Sequence, residues 1–508
     1  MYYVLYVRGG FIVSKLTKQQ IIESAPQKGF FGHPKGLFTL FFTEFWERFS
    51  YYGMRAILVF YMYYEVSNGG LGLDKTIALS IMSIYGSLVY MSGIIGGWLA
   101  DRLFGTSKAV FYGGILIMFG HLVLAIPGNL TMFFISMVLI VLGTGLLKPN
   151  VSSVVGDLYT EDDHRRDAGF SIFYMGINMG AFVSPLIVGS LMKTSFHLGF
   201  GVAAVGMFLG LVVFIATKKK NLGLAGTQAP NPLNPSEKKR ALVISLVSTI
   251  VTALLVAISI PQGWLTFDSF VAFVGILAFL IPTAYFIVMY RSPKTTEVEQ
   301  SRIIAYIPLF LASVLFWVIA EQGATVLALF ADTRANLNFM GIELSPAWFQ
   351  SFWPLFVIIL APMFAWLWVK LGDRQPTIPQ KFSLGLLFGG LSFIVILLPS
   401  YLGGGDALVN PLWLVLSIFF VAVGELCLSP VGLSATTKLA PAAFSAQTMS
   451  LWFLSNAAAQ ALNAQLVKFY SAETEIIYFG TIGGSAIVLS ILLFFISPVI
   501  QRFMKGIR

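Results

Sequence analysis

The sequence has few of the residues that build soluble catalytic and metal sites. Of its 508 residues one is cysteine, four are histidine and only 11% are charged. A lone cysteine, Cys427, excludes an internal disulfide, and an ordinary soluble domain carries about 25% charged residues. The chain also lacks a Walker loop, metal-ligand spacing and a nucleophile elbow. We therefore expect no enzyme activity, no metal and no cofactor.

Apolar residues are abundant instead and make up 57% of the chain. They recur in runs of about 20 residues, the length that crosses the ~30 Å hydrocarbon core of a bilayer as a helix. The formal net charge of +9 is gathered in short loops between these runs, where basic residues set the orientation of a membrane protein. The charge therefore does not indicate a nucleic-acid partner. The composition predicts an all-α polytopic protein whose partner is the lipid bilayer.

Fourteen candidate spans are present, and they divide into groups of six, two and six. They lie near 37–64, 76–102, 109–127, 131–155, 166–192, 198–217, 241–260, 266–290, 303–330, 346–371, 382–400, 411–437, 442–468 and 476–500. A basic linker rich in Pro, Gly and Asn, 218–240, follows the sixth span and marks a boundary. The predicted organisation is a leader 1–36, a six-helix bundle 37–217, a linker with an inserted two-helix hairpin 218–302, a second six-helix bundle 303–500 and a tail 501–508.

Basic residues favour one set of loops, to which both termini belong. The opposite loops hold little beyond Lys75, Lys193, Arg334 and Lys468. Because cytoplasmic loops carry the excess of Lys and Arg, both termini are predicted to be cytoplasmic.

The first span carries four charges in the stretch TEFWERFSYYGMRA. Glu44, Glu47, Arg48 and Arg55 fall on one stripe of a helix. Each unpaired charge at the bilayer centre costs at least ~2.5–3.5 kcal/mol, so the stripe must face a wet cavity or a partner helix. A self-neutralising network that only supports structure is the alternative, since Glu44 reaches Arg48 at i,i+4.

Further polar residues lie inside other spans. Lys148 and Asn178 are in the first bundle, and the lone carboxylates Glu321 and Glu425 are in the second. Cations on one wall and carboxylates on the other would suit a small zwitterion. Candidate aromatic walls, which could equally be packing residues, are Tyr51, Tyr52, Tyr90, Trp317 and Trp452. Without an ATP-binding domain, transport against a gradient would be driven by an ion.

Four segments together resemble the proton-dependent oligopeptide transporters (the POT or PTR family) of the major facilitator superfamily. They are EFWERFSYYG in the first span, FSIFYMGINMGAF in the fifth, GTGLLKPNVSSVVGDLY in the fourth, and GGWLADRLFGTSK after the second. The resemblance covers nearly the whole chain. It implies the major facilitator fold of two six-helix bundles, and two additional helices at 241–290 are usual for bacterial members. It also implies a multi-pass protein of the bacterial cytoplasmic membrane that is functional as a monomer.

The resemblance also implies roles for particular residues. Glu44, Glu47 and Arg48 match the family's proton-coupling motif, and Glu321 matches its seventh-helix protonation site, with Arg55 as gate partner. The implied peptide-binding residues are Arg48, Tyr52, Tyr90, Lys148, Asn178, Trp317, Glu425 and Trp452, and Lys148 and Glu425 form a second implied gate pair. The second-helix histidine of mammalian members has no counterpart here.

Three functions are compatible with these features. The leading one is a symporter that imports di- and tripeptides with protons by alternating access. The second is a proton-coupled carrier of another solute, such as nitrate or a drug. The third is a receptor or scaffold that does not transport, which would have little use for titratable groups in both bundles.

Overall fold

The computed structural model describes residues 17–160, 163–403 and 408–507. Most of the predicted leader, residues 1–16, lies outside this part, and so does the last residue of the predicted tail. The leader's described portion contains α1 (Lys18–Glu23). Its Thr17 and Gln20 form a capping box, which satisfies amide groups at the start of the helix.

Six long helices follow and are called the first half. They are α2 (Gly36–Tyr63), α3 (Lys75–Leu99), α4 (Thr106–Ala125), α5 (Leu130–Asp157), α6 (Arg166–Leu191) and α7 (Phe196–Asn221). A π-helical turn, Ala100–Phe104, extends α3. The side chains of Asn129 and Ser195 accept backbone N–H bonds at the starts of α5 and α7, as N-caps do.

The second half is also built of long helices but has more interruptions. It comprises α10 (Glu297–Ala320), α11 (Val326–Thr333), α12 (Phe352–Leu371), α13 (Ile378–Gly403), α14 (Leu412–Leu439), α15 (Ser445–Leu466) and α16 (Glu475–Phe503). A 3-10 turn, Glu321–Ala324, joins α10 to α11, so the single span predicted near 303–330 is broken in the middle. A two-residue hairpin of β1 (Asn338–Phe339) and β2 (Ile342–Glu343) turns through Gly341 at a φ of +80°.

Between the halves lie α8 (Pro235–Ser259) and α9 (Phe267–Arg291). No residue of α8 is buried. The helix α9 packs on α15 and, less extensively, on α3 and α10. A shallow apolar groove on α9 is lined by Gly275, Ile276, Phe279, Leu280 and Thr283.

Close packing holds each half together, and glycine permits it at two crossings. A Cβ on Gly113 of α4 would lie 2.6 Å from the carbonyl oxygen of Gly143 on α5. A Cβ on Gly390 of α13 would lie 2.7 Å from the carbonyl oxygen of Gly483 on α16. Backbones therefore approach closely, as small residues allow in membrane helix pairs.

Twelve helices in the described residues are long and apolar enough to cross a membrane. The helices α2 and α15 are long but are not among them. The first contains the charged stripe, and the second contains Asn456, Gln460 and Asn463 within a run of alanines. Length and apolarity thus support an all-helical membrane protein, while fourteen spans remain a prediction.

Candidate functional site

The charged stripe of α2 is a buried acid–arginine cluster. Nε of Arg48 lies 2.9 Å from a carboxylate oxygen of Glu44 and 2.5 Å from one of Glu47, and all three side chains are at most 3% exposed. These are ion pairs by distance, yet the geometry makes no hydrogen bond at Arg48 Nε or Nη2 or at Glu47 Oε1 within the described chain. Because buried polar atoms normally have partners, the cluster retains capacity for water, a proton or a ligand.

The segment GINMG lies in α6, the fifth of the predicted spans, and places this helix directly against the cluster. A Cβ on Gly180 would collide with the carbonyl oxygen of Phe45 and lie 3.1 Å from Cβ of Arg48. The two helices therefore touch backbone to backbone at the level of the charges. This contact explains why the sequence has glycine there.

Arg55, two turns further along α2, forms an ion pair with Glu321 in the 3-10 turn after α10. The pair joins the first half to the second, and Glu321 is only 3% exposed. The Glu321 carboxylate also accepts hydrogen bonds from Asn456 Nδ2 at 3.1 Å and from Gln460 Nε2 at 2.6 Å, both on α15. The predicted pairing of Arg55 and Glu321 is thus present, with two more partners.

Sequence reasoning missed Asn456 and Gln460. The signal that would have found them is their spacing, since Asn456, Gln460 and Asn463 recur at i, i+4 and i+7 on one face of α15. Asn463 Oδ1 accepts a hydrogen bond from the Gln322 side chain at 3.1 Å. Polar residues in that pattern within an alanine-rich helix indicate a hydrogen-bonded face.

The end of the molecule that holds the α2–α3 loop is called the distal end. It carries further links between the halves beyond the Arg55–Glu321 pair. Tyr63 and Tyr64 of α2 donate to the two carboxylate oxygens of Asp332 on α11 at 2.6 and 2.7 Å. The hydroxyls of Ser80 and Ser87 on α3 donate to backbone carbonyls of α15, each at 2.9 Å. The two halves are therefore fastened together at the distal end.

The predicted binding residues lie on helices of both halves. Tyr52, Tyr90, Lys148, Trp317 and Glu425 are partly exposed although each lies inside a long helix. Nζ of Lys148 is 4.0 Å from the centroid of the Tyr90 ring, a cation–π contact. Lys148 also lies within the electrostatic field of the acid–arginine cluster and of Glu321.

Asn178 and Trp452 are more enclosed. Asn178 is 8% exposed and its amide donates to the carbonyl of Tyr174 one turn earlier at 3.0 Å. Trp452 is 5% exposed, and its ring occupies the space where Gly432 of α14 lacks a side chain. Trp452 therefore packs α15 against α14 in this structure.

Glu425 is held by a residue that the sequence did not single out. Nε1 of Trp353 on α12 donates to Glu425 Oε2 at 2.6 Å. Within the described chain no ion pair joins Glu425 to Lys148. The structure thus brings together Arg55 with Glu321 and Lys148 with Tyr90, but it does not pair Lys148 with Glu425.

Comparisons with known proteins agree on one family. The model of the POT family matches residues 107–484. The uncharacterized transporter YclF of Bacillus subtilis is 62% identical over 97% of this chain and 100% of its own length. A di-/tripeptide transporter of Lactococcus lactis subsp. cremoris is 45% identical over 95% of this chain and 99% of its own. The crystal structure of a peptide transporter POT in complex with sulfate is 73% identical, with a TM-score of 0.95 over 97% of this chain and 100% of that one.

Proposed function

The chain belongs to the POT family of peptide transporters, and from that premise we propose that it imports di- and tripeptides together with protons by alternating access. The observation that carries the proposal is the Arg55–Glu321 ion pair. It places a titratable carboxylate on the link between the two halves. Protonating Glu321 removes its charge and weakens that link, so a proton favours separation of the halves at one end.

The membrane arrangement follows from charge and burial. We propose that α2 and α15 also span the bilayer, which gives fourteen spans and the arrangement of six, two and six. Their charged and amide side chains make both helices too polar to count as spans by composition alone. Most residues of α2 are nevertheless buried inside the molecule, where these side chains do not face lipid. With both termini cytoplasmic by the positive-inside rule, the distal end is extracellular and the protein lies in the cell membrane as a monomer.

In this arrangement the described conformation corresponds to the state closed on the outside. The supporting contacts are the Arg55–Glu321 pair, the Tyr63 and Tyr64 bonds to Asp332, and the serine bonds between α3 and α15. The unpaired state of Lys148 and Glu425 agrees with an open inner end. We propose that these two residues pair when the inner end closes.

Peptide recognition is proposed at the charged walls of the cavity. Lys148 and Arg48 of the first half would bind the carboxylate end of a peptide, and Glu425 of the second half would bind its amino group. Asn178 would bind the backbone, and Tyr52, Tyr90, Trp317 and Trp452 would contact side chains. A residue spans ~3.3–3.6 Å of extended chain, so fixed walls of opposite charge favour a short range of peptide lengths.

Proton coupling is proposed at Glu44, Glu47 and Arg48 together with Glu321. The cluster on α2 has one guanidinium shared between two carboxylates. A single contacting cation serves two carboxylates, so one of them is proposed as the place for a proton. A peptide carboxylate that binds Arg48 would compete with these glutamates and so link cargo to protonation.

Uptake by purified protein in proteoliposomes tests the proposal. Labelled Ala-Ala should accumulate above equilibrium only when the outside is more acidic than the lumen. N-acetyl-Ala-Ala and Ala-Ala-amide should compete about tenfold or more weakly than Ala-Ala, because each lacks one charge-assisted contact. Glu425→Gln should remove the preference for a free amino group, and Lys148→Ala the preference for a free carboxylate.

The same assay separates the alternatives. Equal competition by free and capped dipeptides would contradict the two-ended site. Gradient-driven uptake of another solute such as nitrate, without peptide uptake, would identify a different cargo. Binding of peptide without any flux would identify a receptor.

A further inference from the structure

Trp353 donates a hydrogen bond to Glu425, the carboxylate that is proposed above to bind the peptide amino group. Its Nε1 donates to Glu425 Oε2 at 2.6 Å, and the ring centroids of Trp353 and Trp317 are 6.5 Å apart at an interplanar angle of 40°. Both indoles are partly exposed. Glu425 Oε1 has no hydrogen-bond partner in the described chain, so the indole uses one of the acceptor sites of the carboxylate.

This arrangement limits what a bound amine can find beside Glu425. A primary ammonium group carries three N–H donors, as the lysine side chain does. One oxygen of the carboxylate accepts no bond, while the other already accepts a charge-assisted bond from the indole and keeps one lone pair. The indole of Trp353, with Trp317 beside it, is aromatic surface of the kind that attracts a cation, and this attraction depends on the charge and not on the number of N–H groups. The surroundings therefore favour the cation over the full set of hydrogen bonds.

We propose that Trp353 is a specificity-determining residue, an inference that rests on the proposed function. Trp353 lets the site accept peptides with a secondary amino terminus, such as N-methylated or prolyl peptides, nearly as well as peptides with a primary one. A secondary ammonium has two N–H donors and loses little beside a carboxylate that already accepts a bond from the indole. Its extra carbon contacts the apolar rings. The chemical class of cargo is thus wider at the amino end than a carboxylate with two free oxygens would permit.

The pair glycyl-alanine and sarcosyl-alanine tests this directly, because the two peptides differ by one methyl group on the amine. Competition constants are measured against a labelled dipeptide in proteoliposomes containing the intact protein. In the wild type the two constants should agree within about threefold. N-acetylglycyl-alanine, which has no charge at that end, should compete about tenfold or more weakly.

Trp353→Phe keeps an aromatic ring and releases Glu425 Oε2. Glycyl-alanine should then bind about tenfold more tightly, a ratio equivalent to ~1.4 kcal/mol, and sarcosyl-alanine should gain less. The ratio of the two constants should therefore rise severalfold. Trp366→Phe is the matched control, since Trp366 lies on the same helix and is 60% exposed, and it should leave the ratio unchanged.

The outcomes are separable. A wild-type preference for glycyl-alanine of tenfold or more overturns the inference and needs no variant, so a Trp353→Phe protein that fails to fold does not prevent the test. An unchanged ratio in a folded Trp353→Phe protein also overturns it and leaves Trp353 a packing residue. If glycyl-alanine itself does not compete, the proposed function and the inference that rests on it both fail.

Discussion

The link between Arg55 and Glu321 allows a quantitative prediction for Glu321→Gln. The glutamate carboxylate accepts from Arg55 and Gln460 at Oε2 and from Asn456 at Oε1. A glutamine can keep its oxygen at the first position and turn its amide N–H₂ toward Asn456. Asn456 Oδ1 has no hydrogen-bond partner among the described residues, so Asn456 can rotate its amide and accept that bond.

The substitution therefore preserves every hydrogen bond and removes only the charge. Arg55 keeps its charge, so the bond between the halves becomes one between a cation and a neutral amide, and what is lost is the attraction between opposite charges. Exposed ion pairs contribute ~0.2–1 kcal/mol, and removing one partner of a buried pair costs ~3–5 kcal/mol. Because the bond itself is kept, we expect an intermediate loss of about 1–1.5 kcal/mol, which changes the ratio of closed to open distal ends about tenfold. Arg55→Met should act more strongly, because it leaves a buried carboxylate without its cation at a cost of ~3–5 kcal/mol.

Electron–electron distance measurements at the distal end provide the assay. Spin labels are placed at Ile77, on α3, and at Leu412, at the start of α14, which are exposed sites on opposite halves. Cys427 is first replaced by alanine so that only these two positions are labelled. Glu321→Gln should add a population at longer distance, and Arg55→Met a larger one. Glu343→Gln is the control, since Glu343 forms an exposed ion pair with Lys193. Identical distance distributions in Glu321→Gln and the parent protein would refute the reasoning.

Three further predictions follow from other contacts. Glu47→Gln fixes the cluster in a neutral form, so gradient-driven peptide accumulation should be lost while peptide exchange across the vesicle persists; full accumulation would contradict the coupling role. Gly180→Ala should destabilise the protein by ~1–3 kcal/mol, as overpacking does, seen as a lower melting temperature, whereas Gly484→Ala, where a Cβ meets nothing within 4 Å, should not. The ring of His33 in the leader lies 3.0 Å, at Nδ1, from the hydroxyl of Tyr159 in the first half, and burial, and next the charge of Arg165, lowers the pKa of His33. The leader packed on Tyr159 is therefore favoured with neutral His33 and should loosen as the pH falls below ~6.5, measured by hydrogen exchange in residues 17–35, and His33→Gln should abolish that dependence.

Helix positions were the most predictable part of the fold. Apolar runs and N-caps such as Asn129 and Ser195 are local features, and the helices lie within several residues of the predicted spans. The break at Glu321 was not foreseen. No proline marks it, and the turn forms where the carboxylate is drawn to partners on α2 and α15.

Contacts between distant parts of the chain were less predictable. The pairing of Arg55 with Glu321 was expected only through the family resemblance, because 266 residues separate the two. Trp353 carried no signal, since an indole in an apolar helix is ordinary until a carboxylate on a neighbouring helix is seen to accept its N–H. Lys148 and Glu425 are unpaired here, and a sequence that encodes several conformations does not indicate which pairs each one forms.

Proton movement coupled to peptide tests the central claim most directly. Protein is reconstituted into vesicles that contain a trapped pH dye, with no pH difference at the start, and Ala-Ala is added outside. Symport of peptide with protons predicts acidification of the lumen on addition of Ala-Ala, little response to N-acetyl-Ala-Ala-amide, and no response to either compound in vesicles containing Glu321→Gln. Uptake of labelled Ala-Ala without any acidification of the lumen would contradict it.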